Sequence, residues 1–306
     1  MPSMDIVFTQ ILVILLYVAV GFAAGKFGLI SAEQRKYLSR LCSDLILPFT
    51  VLSAASQSVG RREIASLGLL VLLILLTFVL TTAAALGVQR LGKTPYSVKV
   101  TTASLLTYPN CTFLGLPLCR ALFGEMAILY NAVFLLAFNI LFFTWQYTMF
   151  TRKKFEIRSL ITPPTVSTLL LVFMLALGLH FPAPAETVIA NTGAMISPLS
   201  LIIVGVMMSE NRLSSILRER RAYLITVIRN LFIPFVFMLA LKLLPLDPAS
   251  RLCLLVYLAC PCATLTTIYA IQCDMEPELA AHSVLMSTMF FAATLPLIVY
   301  TGTRVL

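Results

Sequence analysis

Leu106-Thr107-Tyr108-Pro109-Asn110-Cys111-Thr112-Phe113-Leu114-Gly115-Leu116-Pro117 lies within residues 100–119, a run that contains no Asp, Glu, Lys or Arg. A regular helix cannot pass through it undisturbed, because each proline lacks an N–H and its ring crowds the preceding turn. Yet the run has the length of a bilayer crossing, for which a hydrocarbon core about 30 Å thick takes about 20 helical residues. Backbone groups freed at that depth cannot face lipid, so protein must enclose them around a wetted cavity. Ala259-Cys260-Pro261-Cys262-Ala263-Thr264-Leu265-Thr266-Thr267 repeats the device within the uncharged run 252–273. Pro109 and Pro261 are 152 residues apart, and Leu47-Pro48 and Ser197-Pro198 are 150 apart. One plan is written twice.

Outward from these stretches the chain is apolar almost throughout. Of its 306 residues 59% are hydrophobic and 11% charged, against roughly 45–50% and about 25% in soluble domains. Further uncharged runs cover 6–25, 64–89, 126–151, 159–185, 187–209 and 279–303. Ten transmembrane helices follow, at 5–27, 37–57, 64–88, 98–120, 125–150, 164–181, 187–209, 222–244, 251–273 and 279–303. The second begins amphipathically and the sixth is short. Met1 to Asp5 carries no basic leader, and Ile6 to Gly25 is long enough to span, so the first run reads as a membrane helix. The only substantial polar connector, 151–163, separates a first five-helix repeat (1–150) from a second (164–306). An odd number of spans per repeat turns the second upside down relative to the first. Inverted repeats with corresponding broken helices mark secondary transporters.

Basic residues set the orientation. Loops after spans 1, 3, 5 and 7 hold fifteen: Lys26, Arg35, Lys36, Arg40, Arg90, Lys93, Lys99, Arg152, Lys153, Lys154, Arg158, Arg212, Arg218, Arg220 and Arg221. The opposite side holds five, Arg61, Arg62, Arg120, Arg251 and Arg304. The connector is therefore expected in the cytoplasm and both termini outside it. The net charge of +9 lies in short loops rather than on one folded face, which excludes a nucleic-acid partner. Seven cysteines, mostly within apolar runs and without paired spacing, form neither a metal set nor a disulfide framework.

Pro109-Asn110 with Gly115 and Pro117, and Pro261 followed by Thr264 to Asp274, resemble the two crossover helices of the auxin efflux carrier family. Ile268-Tyr269-Ala270 to Cys273-Asp274, Pro277-Glu278-Leu279 and Thr294-Leu295-Pro296 extend the likeness through the last span. The resemblance implies an all-α polytopic protein with ten transmembrane helices as two inverted five-helix repeats, helices 4 and 9 being the broken crossovers. It further implies a scaffold of helices 1, 2, 6 and 7 and a mobile transport unit of helices 3–5 and 8–10, an elevator. The short connector is that of the bacterial branch, for which the implied substrates are small organic anions such as mono- or dicarboxylates. Cys262 stands where relatives often carry an amide or other polar side chain.

The residues expected to bind substrate are Asn110, Cys111, Thr112, Cys262, Ala263 and Thr264, with Pro109, Gly115, Pro117 and Pro261 shaping the crossover. Half-helix N-termini beyond each break suit an anion. Asp44 and Arg229, both well inside spans, are candidates for coupling to H+ or Na+. Arg229 is alternatively a partner for a substrate carboxylate or for Asp44, or a snorkelling side chain; Asp44 is alternatively an interfacial residue. His282 reads as interfacial, and Asn139 and Gln146 as bonds between helices. Gly21-Phe22-Ala23-Ala24-Gly25 allows close helix approach, either in a homodimer, which is the expected assembly, or within the chain. No cofactor or metal is called for, and the two histidines, His180 and His282, supply a catalytic triad poorly. The alternative to a carrier is a non-transporting membrane sensor or assembly component on the same fold.

Overall fold

The computed structural model describes residues 4–56, 61–90, 94–211, 213–244 and 246–306, and every regular element among them is helical. In chain order these are α1 (Met4–Lys26), α2 (Ala32–Leu41), α3 (Leu47–Ser53), α4 (Arg61–Arg90), α5 (Tyr96–Thr107), α6 (Leu116–Phe123), α7 (Met126–Leu141), α8 (Tyr147–Thr151) and α9 (Pro163–Leu177). There follow α10 (Ala183–Ala194), α11 (Ile196–Ser209), α12 (Leu213–Ile216), α13 (Arg220–Val227), α14 (Ile233–Lys242), α15 (Pro248–Ala259), α16 (Thr264–Gln272) and α17 (Pro277–Val305). Among the described residues six stretches are long and apolar enough to cross a membrane: Met4–Lys26, Leu67–Arg90, Met126–Thr151, Ala183–Ser209, Arg220–Lys242 and Pro277–Val305. They coincide with expected spans 1, 3, 5, 7, 8 and 10. Lys93 and Arg212 of the basic count, and residue 57, the expected end of span 2, lie outside the described residues.

The other four expected spans are short or interrupted, each for a local reason. Span 2 starts earlier than its apolar pattern indicated. Ser31 caps α2 by accepting from the Gln34 N–H at 3.2 Å, while Gln34 Oε1 accepts from the Ser31 N–H at 2.8 Å. A π-turn at Cys42–Ile46 then joins α2 to α3, whose first turn holds Pro48. In span 6, Thr162 caps the double proline that opens α9, and Gly178 ends it in a left-handed conformation at φ +64°. Its 15 residues reach only ~22 Å at 1.5 Å per residue. Spans 4 and 9 are each two half-helices, α5 with α6 and α15 with α16.

Packing pairs of the first half have counterparts in the second. α1 lies on α11 and α9 on α3; α4 lies on α5 and α14 on α15; α4 lies on α7 and α13 on α17. Spans 2 and 7 cross where both are disturbed. Thr50 donates its hydroxyl to Gly193 O at 2.8 Å, and a Cβ on Gly193 would sit 2.8 Å from Thr50 Cα. The Gly21–Gly25 motif is used within the chain. A Cβ on Gly21 would overlap Ile202 O, one on Gly25 would overlap Ser209 Oγ, and one on Gly205 would overlap Val18 O. Asn139 donates to Thr165 Oγ1 at 2.9 Å and Gln146 to Val100 O at 3.2 Å, so both bridge helices as expected.

Candidate functional site

α5 stops at Thr107, and Tyr108-Pro109-Asn110 leaves the helix with Tyr108 extended at φ −97°, ψ 118°. α15 stops at Ala259, and Cys260 to Ala263 runs extended to the start of α16. The two linkers cross and pair antiparallel. The Asn110 N–H donates to Pro261 O at 2.7 Å and the Ala263 N–H donates to Tyr108 O at 3.0 Å. Pro109 and Cys262 stand opposite each other between these bonds. Residues in that position direct their amide nitrogens away from the partner strand, so Pro109 gives up no ladder bond. The Cys262 N–H turns outward to Ser287 Oγ at 3.1 Å on α17.

Other side chains hold the crossing in place. The Tyr108 ring meets Phe78, Phe138 and Phe142 edge-on, with centroids 5.0–5.4 Å away. Tyr257 donates its hydroxyl to Ala127 O at 2.7 Å. Gly115 permits close approach, since a Cβ there would lie 2.8 Å from Cys260 Sγ and 3.0 Å from the Tyr257 ring. Beyond Asn110 a π-turn, Cys111–Gly115, leads into α6, with Pro117 in its first turn.

Arg229 is the charged residue at the crossing. It is carried on a π-turn, Ile228–Phe232, and is 1% exposed. Its Nε donates to Cys260 O at 3.1 Å, its Nη1 to Leu106 O at 3.1 Å and its Nη2 to Leu258 O at 2.8 Å. Leu106 and Leu258 belong to the last turns of α5 and α15, whose carbonyls have no partner within their own helices. One guanidinium thus closes the ends of both first half-helices. It neither snorkels nor pairs with Asp44, which is exposed on the π-turn Cys42–Ile46 of span 2. A pairing of these two was legible as an option only because sequence gives depth without direction.

Of the residues expected at the site, Asn110, Cys111, Cys262 and Ala263 are buried together at the crossing, while Thr112 and Thr264 are half-buried beside it. Asn110 Oδ1 accepts from the Phe113 N–H at 3.3 Å, whereas its Nδ2 is buried without a partner in the protein. Sequence reasoning missed Ser287 and Asn230. Asn230 donates to the backbone Ser287 O at 2.8 Å, and the Ser287 hydroxyl, which itself donates to Val284 O at 3.0 Å, receives the Cys262 N–H. Ser283 and Ser287, four apart on α17, and an Arg-Asn pair inside an apolar run were the available signals. A cavity of about 630 Å³ opens at the ends of α8 and α16, lined by Tyr147, Arg152, Lys153, Tyr269 and Asp274 among others. Tyr269 is five residues beyond Thr264, ~8 Å along α16.

A family model for membrane transport proteins matches residues 6–157 and again residues 148–299. The chain belongs to the auxin efflux carrier family. Comparison with curated proteins gave no match. The two matches cover this auxin efflux carrier family member as two repeats that overlap at residues 148–157, and each contributes one linker to the crossing. It is an integral membrane protein of a transporter family.

Proposed function

We propose that this protein is a secondary carrier of small organic anions, mono- or dicarboxylates, of the bacterial branch of its family, working by alternating access around the crossing of spans 4 and 9. The observation that carries the proposal is the Asn110 amide, whose Nδ2 is buried and unpartnered where two helix interruptions meet. A buried donor without an acceptor costs about 1–3 kcal/mol, a cost that a bound carboxylate removes. The first N–H groups of the Cys111–Phe123 segment and of α16 begin at the same place, with the partial positive charge of helix N-termini. A sensor or assembly component has no need of such a donor at the midplane.

The ten spans form two inverted repeats in this proposal, 1–150 and 164–306. Helices 1, 2, 6 and 7 are the scaffold, against which helices 3–5 and 8–10 move. Ser200 on α11 donates to Phe113 O at 2.9 Å, a bond between the two units that such a movement has to break. The cavity at the ends of α8 and α16 is the approach from the connector side. Asn110, Cys111, Thr112, Cys262, Ala263 and Thr264 receive the anion. The protein is a homodimer in the cytoplasmic membrane, and both termini lie outside the cytoplasm. Flux of a panel of radiolabelled mono- and dicarboxylates in proteoliposomes, with and without pH and sodium gradients, tests the proposal. Saturable, counterflow-competent uptake of at least one is expected; leak-level uptake of all of them defeats it.

A further inference from the structure

We propose that Arg229 is the fixed countercharge of the transported anion, so that the crossing is neutral when it holds a monoanion and carries one positive charge when empty. The proposal rests on the carrier function above and adds its charge stoichiometry. The guanidinium is 1% exposed, yet its hydrogen-bond partners are the neutral carbonyls of Leu106, Leu258 and Cys260. The two ion pairs among the described residues are elsewhere, Arg35 with Glu210 and Arg120 with Glu125. Arginine does not escape burial by losing its proton. A charge at membrane depth without a countercharge is costly.

Helix ends do not supply that countercharge. The C-termini of α5 and α15 point their carbonyls at Arg229 and contribute about half a negative charge each. The helical segments that begin at Cys111 and Thr264 contribute about half a positive charge each from their N-termini. These four ends cancel in pairs, and the unit charge of Arg229 remains. Arg229 and Asn110 also grip the same strand: Arg229 donates to Cys260 O, and the Asn110 N–H donates to the next carbonyl, Pro261 O. An anion that accepts from Asn110 Nδ2 therefore sits beside the linker that the guanidinium holds. Arg229 acts here as a positioning and charge-setting residue, since its own donors are committed to backbone.

The wild-type protein in proteoliposomes, with membrane potential set by potassium gradients and valinomycin, tests this with malonate and monomethyl malonate as probes. Exchange of the half-ester for itself moves only the neutral loaded site, so an imposed inside-negative potential leaves its rate unchanged. Net efflux of the half-ester needs the empty, positive site to return inward. Inside-negative potential should speed it, up to about 7-fold per 100 mV for one charge crossing with its barrier midway. Exchange of doubly ionised malonate, which leaves one negative charge on the loaded site, should respond to potential. Arg229→Gln should reverse the pattern, giving voltage-dependent half-ester exchange; if that variant does not fold, wild-type exchange decides alone. Half-ester exchange as voltage-sensitive as net efflux overturns the charge assignment and leaves the carrier function standing. Uptake of neither probe, nor of any carboxylate in the panel, defeats the carrier function and this proposal with it.

Discussion

A single side-chain nitrogen separates the two roles of Asn110. Its Oδ1 accepts from the Phe113 N–H and caps the segment beyond the break, while Nδ2 is the unsatisfied donor. Asn110→Ser can keep the cap through its hydroxyl oxygen but loses the amide donor. Asn110→Ala loses both. A hydrogen bond to a charged acceptor is worth ~1.5–3 kcal/mol. Both variants should therefore weaken carboxylate binding about 10- to 150-fold, and Asn110→Ala should be less thermally stable than Asn110→Ser by about 1 kcal/mol, the cap being the difference between them. Saturation of uptake and thermal unfolding in detergent measure the two effects separately; a serine variant with wild-type affinity would place the anion elsewhere. The position of Asn110 was legible because Pro109 dictates an unwound backbone on any sequence argument. The role of Arg229 was not, because the carbonyls of Leu106, Leu258 and Cys260 that it serves come from two other spans. Backbone acceptors leave no mark on side-chain pattern.

Helix contacts in this molecule depend on glycine and on caps more than on charge. Gly205 faces Gly21 across α1 and α11, and a Cβ on it would lie 2.7 Å from Phe22 N and 2.9 Å from Gly21 Cα. Backbone atoms cannot rotate away, so Gly205→Ala should cost about 1–3 kcal/mol as overpacking does. Gly87→Ala on α4 meets nothing within 4 Å and should be neutral or stabilising by up to about 1 kcal/mol. Thermal unfolding compares the two. A change of oligomeric state in Gly205→Ala, without loss of stability, would return the glycines to a dimer interface. At the start of α15, Asp247 accepts from the Ser250 N–H at 3.0 Å and from the Ser250 hydroxyl, which also meets the Tyr130 hydroxyl. Partial burial alone would raise the Asp247 carboxyl, but the bonds from Ser250 outweigh it and hold the group below the usual carboxylate range. A folded value below the unfolded one means that this stability is present above the unfolded pKa of ~3.9 and is lost as pH falls through the folded value. Thermal stability should therefore fall less steeply below about pH 4 in Asp247→Asn than in the wild type; identical slopes would show that the cap does not titrate in this range.

At the scale of the whole molecule, hydropathy located six spans because 23 to 29 residues of apolar helix write a continuous run, even where a π-turn or a short break divides it as in spans 5, 7 and 8. It was less exact for span 2, where α2 begins in the charged stretch at Ala32 under the control of a capping box. It overestimated span 6, whose helix stops at Leu177, capped by Gly178, four residues before the expected end. Caps are local hydrogen-bond geometry and outrank apolar pattern at helix ends. The repeat was legible from paired prolines alone, and the structure adds what they do: spans 2 and 7 meet at Thr50 and Gly193, as spans 4 and 9 meet at Pro109 and Cys262. Sidedness, in contrast, depends on charge. The connector offers a clean test of it, since residues 152–158 are exposed and largely without regular structure. Six of the seven native cysteines are buried and only Cys273 is half-buried. Glu156→Cys in a Cys273→Ser background should resist a membrane-impermeant maleimide applied to intact cells and react once the membrane is opened. Insertion follows the basic residues of short loops, and on the expected ten-span topology fifteen of them share the connector's side against five opposite. Labelling of that cysteine from outside would invert the molecule, and the cavity beside Arg152 and Lys153 would then be the external mouth of the path rather than the cytoplasmic one.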